Sequence, residues 1–202
     1  MKNVAIYIFD DVEVLDFAGP FEVFSVCGRR TGDNIPFNVY TVAEKPIVCA
    51  RNNFIVTPNF LLANCPKPDI FLIPGGGGYH ADGTAFGSRK EMNNAVLLDW
   101  IKEHNKTAEL VLSVCTGSFI LAKAGLLHGL SATTHHAAIR QMQEIAPDTT
   151  ILPSERWVDN GRIILSAGVS AGIDMSLYVI SKILGKDVAD ETARYMQYDH
   201  WK

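Results

Sequence analysis

A-E-L-V-L-S-V-C-T-G-S-F-I-L-A-K-A-G-L, residues 108–126, is the stretch around which the chain folds. Ala108 to Val114 is an apolar, β-branched run of strand length. Gly117 to Ala124 carries Phe119, Ile120, Leu121 and Ala124 near helical spacing, and Gly125 can end that helix. Cys115 stands between the two with no room for a loop. A strand that turns directly into a helix forces the turning residue into a tight backbone. Small residues two positions away on each side, here Ser113 and Gly117, relieve the crowding. The pattern is a nucleophile elbow, with S-x-C-x-G in place of the usual G-x-S-x-G. Unpaired amides and a positive dipole at the helix start favour a thiolate at Cys115. The alternative is a buried, inert cysteine.

Composition narrows the setting. A chain of 202 residues is long enough for one domain with a full core. At 48% hydrophobic and 20% charged residues it reads as a soluble globular protein. The net charge of −4, without any basic run, leaves no footprint for nucleic acid. The four cysteines, at 27, 49, 65 and 115, form no C-x-x-C pair and imply reduced thiols in the cytoplasm. Val4 to Phe9 stops at Asp10-Asp11, which suits a first strand and is too short for a secretory segment. No apolar stretch approaches the ~20 residues that span a bilayer, so no membrane partner is expected.

Along the chain, Val4–Phe9 predicts a strand covered on both faces. Pro20 predicts the first turn of a helix whose buried side is Phe21, Val23, Phe24 and Val26, with Asp16 just before it as a cap or turn residue. Residues 36–43 predict a second strand and 46–57 a short hairpin around 50–53. Asp69 to Ile73 predicts a third buried strand. It runs into Pro74 and Gly75 to Gly78, which serve either as a flexible turn or as bare amides facing Cys115. No G-K-[ST] follows, which disfavours a phosphate cradle. Residues 89–104 predict one amphipathic helix phased on Met92, Ala95, Val96, Asp99 and Trp100. A short strand, 131–133, then leads to His135 and His136 at a strand-to-helix passage, where ligand sites gather. Adjacent histidines point different ways, so one of them at most faces a site, and a helix cap is the alternative for either. Asn160-Gly161 between apolar runs is a hairpin signal. Asp174 sits in the first turn of the helix that follows residue 168, where the dipole explains it better than catalysis does. Residues 187–198 predict a last polar helix. No linker or repeat argues against a single domain over 1–202.

Alternating strands and helices with glycine-rich strand ends indicate a doubly wound, mainly parallel α/β sheet with helices on both faces. Five motifs in order resemble the DJ-1/PfpI superfamily: L-D-F-A-G-P-F-E-V-F (15–24), P-D-I-F-L-I-P-G-G-G (68–77), S-V-C-T-G-S-F-I-L-A-K-A-G-L-L-H-G (113–129), A-T-T-H-H (132–136) and S-A-G-V-S-A-G-I-D (166–174). Within it they look like the branch holding isocyanide hydratase and the amidotransferase-like domains of AraC-type regulators.

That resemblance implies a flavodoxin-like fold, a homodimer, and Cys115 as nucleophile with Asp16 and Thr116 beside it. It implies Gly75 and Gly76 as oxyanion donors, with His135 as a substrate contact. The implied reaction hydrates a small isocyanide-like molecule to an N-substituted formamide and needs neither metal nor organic cofactor. Thr116 replaces the histidine that follows the cysteine in PfpI-type peptidases, which counts against proteolysis. No late H-x-E pair of the glutamine amidotransferases follows His136. Glyoxalase and deglycase members use glutamate where Asp16 stands, so reactive aldehydes are the less favoured substrate. The chain ends before a C-terminal helix-turn-helix region could fit. A non-catalytic ligand-binding or redox-sensing domain remains the alternative of a different class.

Overall fold

The computed structural model describes residues 1–28 and 35–199. Its centre is a seven-stranded sheet. In chain order the strands are β1 (Lys2–Tyr7), β2 (Phe37–Ala43), β3 (Phe60–Leu61), β4 (Ile70–Ile73), β5 (Leu110–Val114), β6 (Trp157–Asp159) and β7 (Ile163–Ser166). In space they run β6-β7-β5-β4-β1-β2-β3. Every neighbouring pair is parallel except the β6–β7 hairpin, which turns at Asn160-Gly161 as its sequence predicts. Every residue of β4 and β5 is buried, as both faces of a parallel sheet demand.

The helices are α1 (Val14–Val26), α2 (Ser88–Glu91), α3 (Ala95–Asn105), α4 (Gly117–Lys123), α5 (Ile139–Ile145), α6 (Ala171–Leu184) and α7 (Lys186–Tyr195). α1, α6 and α7 pack together, and α2, α3 and α5 gather around α4, so β5 lies between α4 and α6. This is the doubly wound arrangement expected. No helix among the described residues is long and apolar enough to cross a membrane.

Three local expectations change. α1 begins at Val14, so Asp16 lies in its first turn and Pro20 in its interior. The buried set Asp16, Phe17, Gly19, Pro20, Val23 and Phe24 follows a helical face through the proline. Burial of that face against α6 outweighs the one backbone hydrogen bond that Pro20 removes. The predicted helix over 89–104 is two helices. Asn94 breaks it by turning its side chain onto the amides of Val96 and Leu97 and capping α3. Leu97, Trp100 and Ile101 then form the buried side, while Val96 is exposed. Finally, the strand after residue 130 is Ser131–Ala132, and it pairs with Thr150–Ile151 outside the main sheet.

Candidate active site

Cys115 has φ 57°, the left-handed conformation that the elbow pattern requires and that a side chain rarely adopts. Its surroundings hold it there. The Cys115 amide lies between the carbonyls of Ser166 (3.2 Å) and Ala167 (3.0 Å). Its carbonyl accepts the hydroxyls of Thr134 (2.9 Å) and Ser118 (3.1 Å). Any side chain at Gly117 would collide with the carbonyl of Ile73, which is why the pattern ends in glycine.

Cys115 as a residue is 6% exposed. The backbone amides of Thr116 and Val169 and the Thr116 hydroxyl hydrogen-bond its sulfur. Val169 has φ 47°, an outlier for a β-branched residue, and so brings its amide to the sulfur at a cost in strain. Burial, followed by the neighbouring Asp16 carboxylate, nevertheless pushes the thiol up to about 12. The thiolate expected from the helix start is therefore not the resting form. α4 has only seven residues, and a dipole contribution of about 0.3–1 kcal/mol does not offset the loss of water around the sulfur.

Asp16 is fully buried. Its Oδ2 accepts the Gly75 amide at 3.0 Å, and Oδ1 makes no regular hydrogen bond among the described residues. Burial drives its acid range up to about 7 against the pull of the Gly75 amide, with a further push from Glu13 and a small opposing pull from the Cys115 thiol. Thr116 Oγ1 accepts the Gly76 amide at 3.1 Å, while Ser88 Oγ lies 2.7 Å from the Gly76 carbonyl and 2.8 Å from Thr116 Oγ1, so the Thr116 hydroxyl stands between Ser88 and the sulfur. A Cβ at Gly75 would lie 2.5 Å from the Thr116 amide and 3.0 Å from Asp16 Oδ2, so only glycine lets these groups converge.

The structure brings Cys115, Asp16, Thr116, Gly75 and Gly76 together, with a different division of labour from the one expected. The Gly75 and Gly76 amides hold the carboxyl and the hydroxyl, and the amides aimed at sulfur come from Thr116 and Val169. The glycine run is not a flexible turn either: Gly77–Tyr79 pairs antiparallel with Ala85–Gly87. His135 serves as the cap that was its alternative reading, with Nδ1 accepting the Ala137 amide at 3.2 Å. Its ring also packs against Gly168, next to Val169, and burial, then His136 and Arg89, hold its pKa down. Asp174 stays outside the site, ion-paired with Arg156 and accepting the Tyr198 hydroxyl at 2.9 Å.

Four contributors carried no signal that singled them out: Ser88, Arg89, Thr134 and Val169. Thr134 lies in the A-T-T-H-H motif, but only the folded chain turns its hydroxyl onto the Cys115 carbonyl. A cavity of about 720 Å³ opens at the carboxyl ends of β1 and β2, walled by Tyr7, Glu44, Phe86, Glu91 and Asn94 among others. Neither Cys115 nor Asp16 lines it, so its size says nothing about the thiol recess. Among the described residues no three His, Cys, Asp or Glu side chains gather to hold a metal.

The chain is similar to the isonitrile hydratase of Pseudomonas putida, at 29% identity over 97% of this chain and 78% of that protein. It is 28% identical to the HTH-type transcriptional regulator CdhR of Pseudomonas aeruginosa over 87% of this chain, and it spans about half (49%) of the regulator's length. Among solved structures, a ThiJ/PfpI family protein from Pseudomonas syringae superposes with a TM-score of 0.82 at 26% identity, covering 98% of this chain and 75% of the other. Drosophila melanogaster DJ-1beta superposes with a TM-score of 0.80 at 20% identity, covering 98% of this chain and 99% of the other, which speaks for the fold. The family model for the DJ-1/PfpI family matches residues 2–182, and with the elbow, its carboxyl partner and the doubly wound sheet in place, the chain belongs to that family.

Proposed function

We propose that the protein is a cysteine-dependent enzyme that hydrates small isocyanide-like molecules to N-substituted formamides. The observation that carries this reading is the placement of a buried acid, Asp16, against the strained Cys115 thiol, with the acid anchored on the Gly75 amide. Similarity to an isonitrile hydratase over nearly the whole chain supports it. The four free cysteines fit a reducing, cytoplasmic setting.

Cys115 and Asp16 titrate as a pair: above about pH 7 the pair keeps one proton, which rests on the sulfur, and its transfer to Asp16 gives the reactive form. When the proton sits on Asp16, the thiolate faces a neutral acid and the two amides of Thr116 and Val169. The thiolate attacks the terminal carbon of R–N≡C, forming a carbon–sulfur bond, and Asp16 delivers its proton to that carbon to give the thioimidate R–N=CH–S–Cys. Water then adds to the same carbon, giving its proton to the Asp16 carboxylate and, through it, to the nitrogen. Collapse of the adduct breaks the carbon–sulfur bond while the hydroxyl proton passes to the Asp16 carboxylate, which releases R–NH–CHO and restores both the thiolate and the acid. The protein's part is to position the groups, to exclude bulk water and to match the acid to the working pH.

The test is formamide formation from an aryl isocyanide by the wild type and by Cys115→Ala. Turnover that disappears in the variant supports the reading; no turnover by a fully reduced wild type overturns it. The similarity to a transcriptional regulator favours a second reading, a non-catalytic ligand-binding domain. On that reading both isocyanide and methylglyoxal are left unchanged.

A further inference from the structure

Arg89 stands beside the thiol in a chain of contacts that no motif announced. It directly follows Ser88, whose hydroxyl lies 2.8 Å from Thr116 Oγ1, and Thr116 in turn bonds the sulfur. The guanidinium lies over the ring of Phe119, 5.0 Å from its centroid, on the helix that Cys115 leads into. Nε donates to Gln141 Oε1 at 3.2 Å, and Nη1 lies 3.5 Å from both the Gly77 carbonyl and Ser88 Oγ. Among the described residues Nη2 makes no hydrogen bond and no carboxylate lies within ion-pairing distance of any Arg89 nitrogen. A half-buried cation without a counter-ion is costly unless an anion visits it.

The other charges around the recess do not cancel it. Glu13, the acid that faces both Asp16 and His135, is itself paired with Arg51 at 2.6 Å. His135 is held towards its neutral form. Tyr79 accepts the Gln141 amide at 2.9 Å, so Tyr79 and Gln141 buttress the guanidinium on its Nε side, away from Nη2. A planar fork of donors beside a nucleophile suits a carboxylate-sized group.

We infer that Arg89 is a substrate-binding residue, and that the molecule attacked by Cys115 carries an anionic group, a carboxylate in the simplest case, which docks on the Nη2 edge of the guanidinium. This rests on the reading of Cys115 as the reacting nucleophile, and it narrows the substrate from any small electrophile to an anionic one. The buried Phe119 ring supports the guanidinium from one side by a cation–π contact.

The test uses two alkylating reagents that differ chiefly in charge. Iodoacetate and iodoacetamide each form a carbon–sulfur bond at Cys115 and expel iodide, and peptide mass spectrometry separates Cys115 from the other three thiols. The ratio of the two rates cancels any change in thiol acidity. The expected result is a ratio that falls by about tenfold in Arg89→Gln, the size of one charge-assisted hydrogen bond, and is partly kept in Arg89→Lys. An unchanged ratio in folded Arg89→Gln overturns the inference. Should that variant not fold, the wild type decides. Benzoate that slows alkylation by iodoacetamide, where benzamide does not, supports the anion subsite, and equal or absent protection by the two overturns it.

Because alkylation needs no turnover, failure of the hydratase reading is distinguishable. Inert aryl isocyanides together with a charge-dependent ratio remove the hydratase reading and keep Arg89. Equal hydration of carboxylate-bearing and neutral aryl isocyanides does the reverse.

Discussion

Asp16 keeps one carboxyl oxygen on the Gly75 amide, 3.0 Å away, and leaves the other, without a regular partner, beside the thiol of Cys115. The carboxyl therefore opposes ionisation of the sulfur and at the same time stores the proton that the reaction consumes. Asp16→Asn separates these effects, since the amide oxygen still accepts from Gly75. Removing the charge lowers the thiol pKa, so alkylation of Cys115 by iodoacetamide at pH 8 becomes faster than in the wild type. Isocyanide turnover falls by about a hundredfold or more, because the acid is gone. A variant that is slower in both assays would show that Asp16 serves the fold alone.

The pH dependence of stability has a definite sign. A carboxyl whose acid range rises to about 7 on folding binds its proton more tightly in the folded chain than in the unfolded one. Its contribution is fully present below the ordinary carboxylate range and is lost as pH rises through about 7. Asp16→Asn, which stays neutral, should be more stable than the wild type at pH 8, by a few kcal/mol at most, and should lose that advantage near pH 4. Urea unfolding of both proteins at the two pH values measures it, and a constant difference would refute the assignment.

Thr116→Val keeps the shape of residue 116 and deletes its hydroxyl. The Gly76 amide then has no acceptor and the thiol loses a donor. The expected cost is about 1–3 kcal/mol in urea unfolding, with the alkylation profile of Cys115 moved to higher pH. Ser88→Ala leaves the Gly76–Thr116 bond in place and should cost less, about 1 kcal/mol.

Asp174 is tied into the fold by two partners away from Cys115. Its side chain is 6% exposed and is held by Arg156, which is itself 48% exposed, and by Tyr198. Arg156→Gln should destabilise the chain by about 1–2 kcal/mol, less than a fully buried pair because water screens the arginine. Alkylation of Cys115 per folded molecule should not change. A change in its rate at constant stability would place Asp174 in the reaction.

The family resemblance implies a homodimer, and one exposed apolar patch offers a surface on which to test it. Ile47, Phe54 and Ile55 stand 53–60% exposed on and beside the hairpin formed by Val48–Ala50 and Phe54–Val56. Light scattering should give a dimer for the wild type and a monomer for Ile55→Lys. A wild-type monomer at micromolar concentration would remove the proposal.

The elbow could be read before the fold because its constraints are local. Strand, turn and helix around Cys115 follow from β-branching, helical spacing and the two small flanking residues, all within about a dozen positions. The β6–β7 hairpin is legible for the same reason, in Asn160-Gly161. α1 was harder, because Pro20 looks like a helix start when only neighbours are weighed. The face it shares with Phe17, Val23 and Phe24 appears once α6 lies against it. The break at Asn94 is local, but an amphipathic phase that runs on past it hides the cap.

Residue types and spacings thus account for the parallel core, the nucleophile's position and the acid that accompanies it, since each depends on the chain's own periodicity and on which residues tolerate a strained turn. The protonation of Cys115, the use of the Gly75 and Gly76 amides, and the approach of Arg89 and Val169 depend on the folded state. Each is set by water removed and by groups brought close from 26 to 99 positions away in the chain. A pKa responds to every neighbour within a few ångströms, and those neighbours exist only when β1, β4, β5 and β7 lie side by side.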